Sequence, residues 1–140
     1  LSESFEAYAE QTVANAEALA DQLQDNGLSL VSGGTDNHLV LVDLRPSHPD
    51  TPGKDVEAAL EEAGIVMNAN TVPGETRSAF NPSGIRLGTP AITTRGFTES
   101  TCREVADLIT RVVDDPSDDA TVAEVAGRVD ELTDEYPLYD

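Results

Sequence analysis

Ser83-Gly84-Ile85-Arg86-Leu87-Gly88-Thr89-Pro90-Ala91-Ile92-Thr93-Thr94-Arg95-Gly96-Phe97 is the stretch on which the reading of this 140-residue chain turns. Ile85 and Leu87 alternate with Gly84, Arg86 and Gly88, the period-two pattern of a strand with one apolar face. Arg86 falls on the other face, between two glycines. Glycine weakens a strand but lets something approach its backbone closely. A guanidinium offers a planar fork of donors that matches a carboxylate or a phosphate. Pro90 has no N–H for a ladder bond and ends regular pairing. Two readings of Arg86 stand on this pattern alone: an anchor for an anionic ligand, or an exposed strand arginine beside turn glycines.

Upstream of this strand the chain supplies elements for it to pair with and pack on. Residues 4 to 26 repeat Phe5, Tyr8, Thr12, Ala16, Leu19 and Leu23 at steps of three and four, which predicts an amphipathic helix. Ser2 or Ser4 can cap its start, and Gly27 can end it in a left-handed turn. Leu28 to Val31 and His38 to Leu44 read as two strands. The turn residues Ser32 to Asn37 join them, so an antiparallel hairpin is the simplest expectation. Gly53 to Ala63 reads as a short helix stopped by Gly64, followed by a brief strand at Ile65 to Met67. A polar loop then runs from Asn68 to Asn81. Downstream, Thr98 can cap a helix whose stripe is Val105, Leu108, Ile109 and Val112. An acidic break at Asp114 to Asp118 precedes a last helix, Asp119 to Asp134, with Val122, Val125, Val129 and Leu132 inward. The expected fold class is α+β: one small antiparallel or mixed sheet with helices packed on one face.

Composition narrows the partners. Asp and Glu number 27 against 8 Lys and Arg, a formal net charge of −19, and Lys54 is the one lysine. Phosphate backbones and anionic membranes need clustered cations, so nucleic acid and membrane are poor partners. No apolar run approaches the roughly 20 residues that span a bilayer. The acids are interleaved with Val, Leu and Ala, unlike a disordered acidic tail. An acidic folded domain nearly devoid of lysine suggests adaptation to high salt, where cations screen self-repulsion. No stretch matches a calcium-binding EF-hand loop. His38 and His48, ten residues apart without a helix-spaced partner, are weak metal ligands, and no metal is expected. Asp36, Asn37 and His38 form either a polar site or, more simply, an Asx turn with a strand-end histidine. A single cysteine, Cys102, permits no internal disulfide and suits a reducing, cytoplasmic location. It falls in a predicted helix and reads as a packed side chain. The N-terminus is not a methionine and resembles no signal peptide, which suggests a processed or partial chain.

Four segments together look familiar. Val31-Ser32-Gly33-Gly34-Thr35-Asp36-Asn37-His38-Leu39, Asn68-Ala69-Asn70-Thr71-Val72-Pro73, Ser83 to Phe97 and Tyr136-Pro137-Leu138-Tyr139 resemble, in this order, the C-terminal small domain of serine hydroxymethyltransferases. The resemblance covers essentially residues 1–140. It implies a pyridoxal 5'-phosphate enzyme that converts serine and tetrahydrofolate to glycine and 5,10-methylenetetrahydrofolate. It implies that Arg86, in the Ser-Gly-Ile-Arg motif, binds the amino-acid carboxylate. Asn70 and Ser78-Ala79-Phe80 would contribute to the folate site. The family usually has proline where Ala79 stands, and often lysine where Ala69 stands. Its Schiff-base lysine and the rest of its cofactor site belong to a large domain absent from this chain, so the chain would hold no catalytic residue of its own. Lys54 follows Pro-Gly at a helix start and matches no Schiff-base motif. The full enzyme would be a homodimer or homotetramer. The alternative is a non-catalytic regulatory domain that binds an amino acid through Arg86. A third reading is a structural domain in which Arg86 pairs with a surface acid.

Overall fold

The computed structural model describes residues 3–31, 39–65, 67–78, 82–88 and 97–135. Its helices form where apolar side chains recur at helical spacing. α1 (Glu3–Asp25) buries Thr12, Ala16, Leu19 and Leu23 along one stripe. α2 (Gly53–Glu62) buries Val56, Ala59 and Leu60. α3 (Glu99–Asp114) buries Cys102, Val105, Leu108, Ile109 and Val112, and α4 (Asp119–Glu135) buries Val122, Val125, Val129 and Leu132. These stripes meet in one core with the inner face of the sheet.

Two glycines end helices in the same way. After α1, the Gly27 N–H donates to Gln24 O and the Leu28 N–H to Leu23 O, each at 3.0 Å, with Gly27 at φ +96°. After α2, the Gly64 N–H donates to Glu61 O and the Ile65 N–H to Leu60 O, with Gly64 at φ +87°. Both are Schellman closures, in which a left-handed residue turns the chain back so that its N–H groups satisfy the last carbonyls. Thr98 stands at the N-cap of α3 as expected, but its side chain makes no capping hydrogen bond. Its Oγ1 lies 3.4 Å from Thr101 Oγ1 instead. Asp118, hidden in sequence within the acidic break, caps α4: it accepts from the Ala120 N–H at 3.1 Å and from Thr121 Oγ1 at 2.8 Å.

The sheet has four described strands: β1 (Ser29–Leu30), β2 (Leu39–Asp43), β3 (Asn68–Asn70) and β4 (Gly84–Gly88). Their order is β1-β2-β4-β3, and every pairing is antiparallel, so the mixed alternative does not hold. The expected pairing of the first two strands is present. The residues joining them, 32–38, lie outside the described residues. The brief strand expected at Ile65 to Met67 falls instead at Asn68–Asn70, within what reads as loop in sequence. Ile65 gives its N–H to the helix closure and Met67 turns into the core, so pairing starts at Asn68.

Alternation then divides the sheet. Val40, Val42, Ile85 and Leu87 point inward and are buried to within 4% of complete. The opposite face carries Leu41 and Asp43 of β2, Gly84, Arg86 and Gly88 of β4, and Asn68 and Asn70 of β3, because antiparallel partners share a face. Arg86 and Asn68 are exposed there. Helices cover one face only, the α+β arrangement expected from the sequence.

Candidate functional site

Arg86 stands at the middle of the face of the sheet that the described helices leave uncovered. Its partner across β2 is Leu41 and its partner across β3 is Asn68. Strands lie about 5 Å apart, so the row Leu41, Arg86, Asn68 spans about 10 Å. Asn70 stands opposite Gly84, one pleat nearer the root of the strand. Its side chain donates to Thr71 O at 2.8 Å. Ser78 is exposed on the loop that follows β3. The structure therefore brings Arg86 and Asn70 onto one face. Ala79 and Phe80 lie outside the described residues, as do Asp36, Asn37, His38, Pro90, Arg95 and the segment Tyr136 to Tyr139.

Arg86 differs from its fellow cations. Arg45 pairs with Asp43, Arg103 with Asp21, Arg111 with Glu124, Arg128 with Glu104 and Glu131, and Lys54 with Glu57. Arg77 donates to Pro49 O at 2.9 Å. Among the described residues, Arg86 alone of these basic side chains has no hydrogen-bond or ion-pair partner. The reading in which it pairs with a surface acid finds no such acid among them. In a chain with 27 acids, an exposed strand arginine with no acid paired to it among the described residues has its fork of donors free to meet an anion.

The glycine before Arg86 has a different use from the one its spacing suggests. A Cβ at Gly84 would stand 2.5 Å from Val72 Cγ1, 2.8 Å from Asn70 O and 2.9 Å from Val42 O. What approaches the backbone at Gly84 is thus the protein itself. A Cβ at Gly53, at the start of α2, would likewise collide with Gly84 O and meet Pro82 O at 3.0 Å.

The root of β4 is anchored on several sides, by contacts with little sign in the sequence. Ser83 O accepts from the Leu44 N–H at 3.0 Å, and Pro82 O from the Gly53 N–H at 2.8 Å. The Glu75 carboxylate accepts from the Ser83 N–H at 2.9 Å on one oxygen. Its other oxygen accepts from Ser83 Oγ and from the N–H groups of Thr76 and Arg77, both at 3.1 Å. Burial raises the Glu75 pKa, and hydrogen bonds from Ser83, Arg77 and Val72 outweigh it, leaving the carboxyl at about 2. Arg45 forms a second clamp. It grips Asp43 through two nitrogens, Nε to Oδ1 at 3.0 Å and Nη2 to Oδ2 at 2.8 Å. It also donates to Gly74 O at 2.6 Å and Pro73 O at 3.0 Å. The hydrogen bond from Arg45 holds the Asp43 carboxyl below its ordinary value. The signal available in sequence is a carboxylate inside a Pro-Gly turn, Pro73-Gly74-Glu75, where surface and structural acids look alike.

Other candidates resolve as structural. His48 lies between Ser47 Oγ at 2.7 Å and Asp114 Oδ1 at 2.8 Å, tying the proline-rich loop to the end of α3. Among the described residues no cluster of three or more His, Cys, Asp or Glu could hold a metal. Cys102 is fully buried, and burial, with Glu99 nearby, pushes its thiol up to about 12, far from reactive. Lys54 is 54% exposed and sits 3.6 Å from Glu57. No described helix is long and apolar enough to cross a membrane. A surface depression of about 580 Å³ is lined by α2 and the α3–α4 connection, including Asp55, Glu61, Glu62, Pro116 and Ser117. None of the site residues expected from the sequence reaches it.

The sequence matches a known family. A family model described as serine hydroxymethyltransferase matches residues 1–109. A protein named serine hydroxymethyltransferase from Haloquadratum walsbyi is 77% identical over 139 residues, 99% of this chain and 34% of its own length. The Haloarcula marismortui protein of that name is 76% identical over 140 residues, 100% of this chain and 34% of its own. One from Halorhodospira halophila is 48% identical over 139 residues, 99% of this chain and 33% of its own. The chain thus spans about a third of the length of the curated relatives it matches. With the family model matching most of the chain and relatives this similar along its whole length, the chain belongs to the serine hydroxymethyltransferase family.

Proposed function

We propose that this chain is the C-terminal small domain of a serine hydroxymethyltransferase and supplies its substrate-carboxylate arginine. The observation that carries the reading is Arg86: exposed on the sheet face opposite the core, between glycines, with no partner among the described residues in a strongly acidic chain. A carboxylate presented to that face would meet a planar fork of donors and form two parallel charge-assisted hydrogen bonds. Leu41 and Asn68 beside it bound the space laterally.

The reaction proposed for the whole enzyme is the conversion of serine and tetrahydrofolate to glycine and 5,10-methylenetetrahydrofolate. Family resemblance assigns Asn70, Ser78, Ala79 and Phe80 to the folate. The placement of Asn70 on the face of Arg86 supports that assignment for Asn70. The described residues do not fit pyridoxal phosphate itself. Its aldehyde requires a lysine amine, and Lys54 stands exposed against Glu57, outside the sheet face. The cofactor would be held by a large domain of the same enzyme, and this chain contributes substrate orientation. Homodimeric or homotetrameric assembly and a cytoplasmic location belong to the same proposal.

The test is an assay of the full-length enzyme for glycine formed from serine, with and without tetrahydrofolate. Folate-dependent glycine formation supports the proposal. Serine binding without glycine formation, whether or not folate is present, would instead make the domain a non-catalytic amino-acid sensor.

A further inference from the structure

The Glu75 clamp does more than close a turn. The loop from Thr71 to Ser83 connects β3, which carries Asn70, to β4, which carries Arg86. Glu75 binds the N–H groups of Thr76 and Arg77 on one side and Ser83, through both its N–H and its hydroxyl, on the other. Arg77 is held again by its guanidinium on Pro49 O. Arg45 fixes the carbonyls of Pro73 and Gly74 and is itself gripped by Asp43 of β2. One carboxylate therefore pins the loop just before Ser78 and again just before Gly84 and Arg86.

We propose that Glu75 is a positioning residue for the folate side of the reaction: its carboxylate pre-organises the loop carrying Ser78 and fixes that loop against the strand carrying Arg86. The inference rests on the proposed folate role of Asn70 and Ser78. Glu75 fixes the loop at Thr76 and Arg77 and again at Ser83, beside the holds of Arg45 on Pro73 and Gly74 and of the Gly53 N–H on Pro82 O. Losing one hydrogen bond to a charged acceptor costs about tenfold in the population of the pinned loop. The loss falls on the ligand that the loop touches and spares the carboxylate site, whose strand keeps its ladder on both sides.

Glu75→Gln is the sharpest substitution, because it keeps the shape. It replaces one acceptor oxygen by an amide NH2 that must face N–H donors. In the full-length holoenzyme, E75Q is expected to raise the ratio of KM for tetrahydrofolate to KM for serine by about tenfold. Trypsin is expected to cut after Arg77 faster than in the wild type, and tetrahydrofolate to slow that cut. Ser83→Ala keeps the carboxylate and every backbone donor, and reads the same ratio if E75Q does not fold; about a threefold rise is expected. If the ratio stays at the wild-type value in the folded variants, or both KM values rise together, the positioning role is wrong. Failure of the wild-type enzyme to use folate at all would overturn the proposed function instead, so the two failures are distinguishable.

Discussion

Gly84 offers a substitution whose sign can be worked out from the structure. A Cβ there would meet Val72 Cγ1 at 2.5 Å, Asn70 O at 2.8 Å and Val42 O at 2.9 Å. The methyl of Val72 can turn away. The two carbonyls belong to β3 and β2, which flank β4, and can retreat only if the strands separate. Overpacking of this kind costs about 1–3 kcal/mol, and two backbone contacts place it at the upper end. Alanine restricts the unfolded chain and returns about 0.4–1 kcal/mol. The net expectation for Gly84→Ala is a loss of about 2 kcal/mol, or about thirtyfold in local opening. Amide hydrogen exchange of Ile85 and Leu87 in the full-length enzyme reads this directly. Gly127→Ala is the control: Gly127 lies in α4 with nothing within 4 Å of where a Cβ would stand, and the substitution should gain about 1 kcal/mol from helix propensity. Protection at Ile85 within about threefold of wild type in G84A would refute the reasoning, showing that the strands yield at little cost.

Glu75 should give the protein an acid limb. Its folded pKa of about 2 lies below its ordinary value of 4.5, so its contribution is complete above pH 4.5 and is lost as pH falls towards 2. Thermal melts between pH 5 and pH 2 should fall less steeply in E75Q than in the wild type, and parallel curves would contradict the clamp. With a net charge of −19, the melting temperature should rise with potassium chloride, since the screening length falls from about 10 Å at 0.1 M to about 3 Å at 1 M. A melting temperature independent of salt would count against adaptation of this surface to brine. Lys54→Ala should leave pyridoxal phosphate content and glycine formation unchanged, because Lys54 is an exposed helix residue paired with Glu57. Loss of bound cofactor in that variant would overturn the assignment of the cofactor to a separate domain.

Much of the fold is legible in sequence because it rests on local rules. The alternation of Ile85 and Leu87 with Arg86 names both faces of β4 without reference to any partner strand. Gly27 and Gly64 mark helix ends because a left-handed closure tolerates few other residues there. Asn68–Asn70 reads as loop because two asparagines carry little strand propensity; pairing with β4 overrides that preference. Glu75 is illegible for another reason. In a chain with 27 acids, one more carboxylate in a turn carries no distinguishing pattern, and its donors come from Ser83, eight residues away. Asn15 is similar: fully buried in α1, it donates to Phe97 O at 2.9 Å, a partner that only the tertiary fold supplies. Motif resemblance singles out Arg86 and Asn70. No sequence pattern shows that Arg86 finds no acid to pair with among the described residues.

The most direct test of the account is the kinetics of Arg86→Ala in the full-length enzyme, with Arg86→Lys beside it. Arg86 is exposed and has no partner among the described residues, so its removal should leave the fold and the bound cofactor intact. Hydrogen bonds between charged groups contribute about 1.5–3 kcal/mol each. Losing two of them should lower kcat/KM for serine by about three orders of magnitude. Lysine keeps the charge but not the fork, so R86K should recover only part of the loss. Serine turnover by a folded R86A enzyme within about tenfold of wild type would place the substrate carboxylate elsewhere and contradict the central claim.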